Sequence, residues 1–162
     1  MLVHMRYQDE IVRMTQKALD DVCRAALAIP EDKQDWVPMG EARSVLNQMQ
    51  EIAVAANWFH DIIQDLRITR EPERDIDEMM VKARDIKTVE ECVEMARKTT
   101  AELCRAISTF PPEALDLEVT LPFGPGQTAS MADMLYMHAW NLTYHLGQIN
   151  QMQLMLGDHE MH

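Results

Sequence analysis

The sequence predicts an all-α fold, a four-helix bundle with a long crossover connection between its second and third helices. Three observations lead there. Four segments of roughly twenty residues carry apolar side chains at alternating steps of four and three, the spacing of one helix face. Capping residues or prolines bound those segments. A charged stretch from Arg67 to Asp85 separates the second from the third and is long enough to travel back along a bundle. A helix with one apolar stripe cannot be buried alone, and four of them bury one another. Steps averaging 3.5 residues favour near-parallel, left-handed packing. At 162 residues the chain reads as one domain over 1–162, large enough to bury a core without disulfides or a structural metal.

The first helix is expected from about Tyr7 to Leu27, with Tyr7, Ile11, Met14, Ala18, Val22 and Ala25 inward; Pro30 ends it, because proline cannot continue the helix ladder. A polar connection with Trp36 and Pro38 follows. The second helix starts near Ala42 or Ser44 and turns Val45, Met49, Ile52, Ala56, Phe59, Ile63 and Leu66 inward. Residues 67–85 contain Pro72 and little periodicity, which predicts a crossing loop with a short helical turn around Asp77 to Ala83. The third helix opens on Thr88-Val-Glu-Glu91, a capping box, and carries Val89, Val93, Ala96, Thr100, Leu103, Ile107 and Phe110 to Pro111. Residues 118–127 begin as an extended segment and pass into a loop at Gly124-Pro-Gly126. Ser130-Met-Ala-Asp133 caps the fourth helix, which runs to about Leu156 before Gly157.

The formal net charge of −12 argues against a nucleic-acid partner, since phosphate binding needs a concentrated basic surface. No stretch of 18 apolar residues predicts a membrane span. The N-terminus lacks a signal-peptide pattern, and the three cysteines, Cys23, Cys92 and Cys104, form no Cys-x-x-Cys pair. A reducing, cytoplasmic compartment and buried inert thiols are the expectation. The fourteen methionines read as flexible core filler.

The fourth helix is unusual. Its stripe of Met131, Leu135, Leu142, Ile149, Met152 and Leu156 keeps its step only when His138 and His145 are counted in. Core-facing imidazoles need hydrogen-bond partners or a metal. His138, Asn141, His145 and Gln148 are spaced three, four and three, one polar ridge. His138 and His145 lie about 10.5 Å apart along the axis, too far to chelate one ion unaided. On the second helix Glu51 and His60 point to nearly opposite faces, so one of them at most meets that ridge, and Glu51 borders the stripe at Ile52. His4, His159 and His162 sit near the ends and read as solvated, though His159 and His162 could bind metal adventitiously. The sequence carries no glycine-rich phosphate loop after a strand, no Gly-x-Ser-x-Gly elbow, and none of the Glu-x-x-His pairs of di-iron bundles.

The chain resembles the DinB-like family of four-helix-bundle proteins. The match lies in Trp36-Val-Pro38, the Arg43-Ser44 start of the second helix, the capped third helix and, most specifically, His145-Leu-Gly147-Gln148-Ile149, which is similar to the family's His-x-Gly-Gln-Ile ending. The resemblance implies a divalent metal held by one histidine on the second helix and a His-x-x-x-His pair on the fourth. In this chain His145 matches the last ligand, Asn141 stands where the preceding histidine would be, and Glu51, before Ile52-Ala53, stands at the second-helix position. The implied set is therefore Glu51, Asn141 and His145, with Gln148 supporting it from behind and His138 exchanging protons.

Two functions follow as expectations. One is a degenerate or altered-metal protein that binds a small molecule or partner. The other is a metal-dependent enzyme, a low-molecular-weight-thiol S-transferase or a hydrolase. The metal would be Mn, Ni or Zn, or there would be none; a Glu/Asn/His set is harder than three histidines and leans away from zinc and nickel. A homodimer is expected, with Trp58 and Trp140 as candidate contact residues.

Overall fold

The computed structural model describes residues 5–67, 72–121 and 127–162. Its elements are α1 (Tyr7–Leu27), α2 (Val45–Asp65), α3 (Pro72–Ala83), α4 (Val89–Ser108), β1 (Glu118–Thr120), β2 (Thr128–Ser130) and α5 (Met131–Met155), with single 3-10 turns at Glu31–Lys33 and Pro112–Ala114. The expectations for Met1–His4 and for Gly124-Pro-Gly126 lie outside the described residues. Among the described residues no helix is long and apolar enough to cross a membrane.

Four helices form the bundle, and hydrogen bonds fix their directions. Tyr7 Oη donates to the Ala132 carbonyl and Gln153 Nε2 to that of Ala25, so α1 and α5 run parallel, start to start and end to end. Gln8 Nε2 donates to the Phe110 carbonyl, which sets α4 antiparallel to α1. Val45 and Met49 share one apolar cluster with Val89 and Cys92, while Phe59 and Ile62 share a second with Leu103 and Ile107, so α2 and α4 are parallel. The order around the bundle is α1, α5, α2, α4, which leaves α1 and α2, consecutive in the chain, across its diagonal.

Parallel neighbours need a connection that returns the whole length of the bundle, about 30 Å for a twenty-residue helix. The 66–88 segment makes that return. The sequence predicts a loop there with one helical turn; the structure has a twelve-residue helix, α3. Its proline sits at the first helical position, where the missing N–H costs nothing. Gln50 Nε2 then ties the end of the crossover to α2 through the Ile86 carbonyl, at 2.8 Å.

The capping predictions match the structure. Thr88 with Glu91 and Ser130 with Asp133 form reciprocal capping boxes, and Ser44 Oγ accepts from Asn47 N at 3.1 Å. The residues before the second box add a two-stranded antiparallel ribbon, Glu118 opposite Ser130. The expected stripes of α4 and α5 are buried, Leu156 partly so. On α1 the inward face is rotated from the expected one: Tyr7 is exposed and Met14 half-buried, while Gln8 and Thr15 are buried. Thr15 satisfies its hydroxyl on the Ile11 carbonyl and Gln8 its amide on Phe110, so polar residues hold places that an apolar count skips.

Leu66 departs from its predicted inward position. It ends α2 in the left-handed region (φ 53°, ψ 33°) and is 43 % exposed. A branched side chain is strained there and glycine is not. Leu66→Gly is expected to raise stability by about 0.5 kcal/mol, readable as a rise of one to two degrees or so in Tm. A fall in Tm would show that the leucine contacts outweigh the backbone relief.

Candidate functional site

The α2 and α5 helices are antiparallel neighbours, and their facing polar residues meet near the start of α2. The centre is Glu51. Its Oε1 accepts from His145 Nε2 at 3.0 Å and from Asn141 Nδ2 at 3.1 Å; its Oε2 accepts from Arg43 Nη1. Arg43 is held in turn by Nε on Asn47 Oδ1 (2.6 Å) and Nη2 on the Asn47 carbonyl (2.9 Å). The second ring nitrogen of His145, Nδ1, lies 3.1 Å from Gln48 Oε1. The Gln48 amide nitrogen points the other way, to the Arg43 carbonyl and the Met152 sulfur. Arg43, Glu51, Asn141, His145 and Gln48 thus form one connected network.

Both nitrogens of His145 thus lie within hydrogen-bond distance of side-chain oxygens, Nδ1 of Gln48 and Nε2 of Glu51. Burial alone pushes the Glu51 carboxyl up, but the hydrogen bond and charge of His145, and then those of Arg43, outweigh it and hold the group down at about 2. The carboxylate is ionised at neutral pH, with cationic or donor groups on both oxygens. The His145 ring is fully buried, and Tyr144 lies edge-on to it at 5.5 Å, itself stacked on Trp140.

The family resemblance implies that Glu51, Asn141 and His145 converge, and the structure brings these three together. His138 is not with them. It is buried in the lower core beside Phe59, with Nε2 2.9 Å from Thr100 Oγ1, and burial pushes its imidazole down to about 4. A neutral, enclosed ring of this kind has no path for exchanging protons with a ligand at Glu51. His60 is half-buried near Asp61, at 3.5 Å, on the opposite side of α2 from Glu51. The cysteines are buried, and burial first of all raises their thiols to about 11 for Cys23 and Cys104 and about 12 for Cys92, which leaves them unreactive. Trp140 is 48 % exposed and Trp58 half-buried.

Next to the network is a cleft of about 580 Å³ between residues 38–43 and the C-terminal half of α5. Gln148 lines it rather than backing the Glu51 group, together with Arg43, Gln48, Tyr144 and, on the rim, Glu41. Its size suits a small organic ligand. Glu51, Asn141 and His145 do not line it; Arg43 and Gln48 stand between. Sequence reading gave no role to Arg43 or Gln48. Their signal was spacing: Gln48 and Glu51, three apart, occupy one face of α2 beside a buried stripe, and Arg43 precedes the helix within reach of that face.

The sequence pattern of the DinB superfamily matches residues 12–149. This chain belongs to the DinB superfamily. Among solved structures it is similar to YfiT from Bacillus subtilis, described as a probable metal-dependent hydrolase with an unusual four-helix bundle topology (10 % identity, TM-score 0.78, 97 % of this chain and 91 % of that one). It is also similar to a mycothiol-dependent maleylpyruvate isomerase (11 % identity, TM-score 0.68, 90 % of this chain), of whose length it spans 63 %. A third neighbour is the colibactin self-resistance protein ClbS, solved in complex with a dsDNA (14 % identity, TM-score 0.68, 90 % of this chain and 95 % of that one). These likenesses show the fold. That neighbour was solved with a dsDNA, whereas the expectation of no nucleic-acid partner for this chain rests on its charge. No curated protein matches the sequence.

The superfamily relation raises the question of a metal. Among the described residues no cluster of three or more His, Cys, Asp or Glu could hold one. The Glu51, Asn141 and His145 donors do converge, but the arrangement does not fit a divalent ion. The Glu51 carboxylate already carries the Arg43 guanidinium, both His145 nitrogens are engaged, and the third donor is a neutral amide. An ion there would sit beside a fixed positive charge.

Proposed function

We propose that this DinB-superfamily protein binds a small organic molecule in the cleft between residues 38–43 and α5, without a resident metal. The Arg43–Glu51–His145–Asn141 network serves as the rigid base of that cleft. The observation that carries this reading is the full engagement of Glu51: both of its oxygens are taken by groups of the protein itself. Arg43 has five N–H groups, of which three are used, and the remaining ones can meet an acceptor in the cleft. Gln48, Gln148 and Tyr144 add amide and phenol contacts, Met152 and Met155 apolar ones. A ligand with a carboxylate or carbonyl at one end and an apolar body matches that lining.

A second reading, a metal-dependent thiol S-transferase or hydrolase, is favoured by one observation: Asn141 Oδ1 is buried without a hydrogen-bond partner. One experiment separates the two. His159→Ala/His162→Ala protein, free of the adventitious terminal pair, is purified without added metal, exposed to Mn, Ni and Zn, and analysed by plasma mass spectrometry. The metal-independent reading expects well under 0.1 equivalent and no chelator effect on Tm. About one equivalent, lost in His145→Ala, would replace it with the enzyme reading.

A further inference from the structure

We propose that Arg43 is a built-in cation that closes a latent divalent-metal site at Glu51, Asn141 and His145. The inference rests on the metal-independent reading above. Side chains from two helices meet at one carboxylate oxygen, Glu51 Oε1. Glu51 Oε1 lies 3.0 Å from His145 Nε2 and 3.1 Å from the Asn141 amide. Neighbouring ligands around an ion with bonds of about 2.1 Å are spaced about 3 Å apart, so Glu51 Oε1 and His145 Nε2 already stand at the spacing of two ligands on one ion. The buried, unpartnered Asn141 Oδ1 belongs to the amide whose nitrogen meets Glu51, so a half-turn of that amide would bring an unused hard oxygen donor to the carboxylate.

What the site lacks is free negative charge. Arg43 supplies a positive charge on the other carboxylate oxygen, and it is not a loose surface side chain. Its side chain is 33 % exposed, that of Glu51 24 %, and two hydrogen bonds to Asn47 lock the guanidinium plane. The Arg43 backbone also acts: its carbonyl orients the Gln48 amide, whose oxygen then faces His145 Nδ1. In effect the carboxylate has one cation already, and a second, divalent one is repelled.

The test replaces Arg43 in full-length protein carrying His159→Ala and His162→Ala, with folding checked by circular dichroism. Mn²⁺ and Zn²⁺ are titrated by calorimetry, with Mn²⁺ paramagnetic resonance as a second readout. Arg43→Met is expected to bind one equivalent at least about 100-fold more tightly than the parent, and Glu51→Gln in that background should abolish the gain. Arg43→Gln, whose amide can still reach Asn47, should behave alike and serves if Arg43→Met does not fold. Arg43→Lys keeps the charge and should stay closed; binding as tight as in Arg43→Met would overturn the electrostatic argument. Folded Arg43→Met and Arg43→Gln proteins that bind no metal would overturn the proposal while leaving the metal-independent reading intact. One equivalent in the parent, lost in His145→Ala, would overturn both.

Discussion

Glu51→Ala is expected to destabilise the fold by about 2–4 kcal/mol, a fall in Tm on the order of 5–15 °C. The substitution strands three groups at once. Arg43 loses its counter-ion, His145 Nε2 and Asn141 Nδ2 lose their acceptor, and the last two are in or beside the fully buried face of α5. Breaking a fully buried pair typically costs about 3–5 kcal/mol, and the partial exposure of Glu51 and Arg43 lowers that figure. The charge of Glu51 matters less than its being matched. The combined replacement Arg43→Met, Glu51→Leu and His145→Phe removes every charged partner together and is expected to recover at least half of the loss. Urea unfolding of both variants at pH 7 checks this. A loss below about 0.5 kcal/mol in Glu51→Ala would show that the network orders the cleft without stabilising the fold.

Acid is the second large lever, and His138 acts first. Its imidazole is pushed from 6.5 to about 4 by burial, so the folded protein holds it neutral where the unfolded chain takes a proton. Its contribution is fully present above pH 6.5 and is lost as pH falls toward 4, on the order of 3 kcal/mol in all. Glu51 follows with the same sign. Burial raises it, His145 and Arg43 more than reverse that, and the folded value of about 2 lies below the ordinary 4.5. Its contribution is present above pH 4.5 and is lost between there and about 2. Stability measured by urea unfolding from pH 7 to pH 3 should therefore fall in two stages. His138→Met, close in volume and apolar, should flatten the stage between 6.5 and 4 and leave the lower one in place. An unchanged upper stage would assign it to other groups.

Much of this was legible in the residues. The α5 stripe broke its step unless His138 and His145 were counted as inward, and both are buried. The family-matched positions on α2 and α5 predicted that Glu51, Asn141 and His145 meet, and they do. The α1 face was harder, because Gln8 and Thr15 are polar by composition yet buried by virtue of their own hydrogen bonds. Periodicity counts apolar residues and passes over polar ones that satisfy themselves. The helix at Pro72–Ala83 is legible only as a short turn around Asp77 to Ala83, because its charged composition carries little apolar period; such helices are set by propensity and charge pairs, among them Arg74 with Glu78 at 3.6 Å.

By itself the sequence determined where four helices begin and end, which face of three of them turns inward, and that two histidines had to find partners in the interior. Those are local properties: caps act over three residues and stripes over one helix. Only the tertiary structure decided that α1 and α2 lie across the diagonal, that His138 meets Thr100 rather than Glu51, and that Arg43 and Gln48 separate the Glu51 group from the cleft. These contacts join residues about forty to a hundred positions apart, apart from the Arg43 pairings. They depend on the rotation and axial register of one helix against another, which a stripe does not specify. A stripe says which side is buried; the neighbour's side chains decide what a buried histidine becomes.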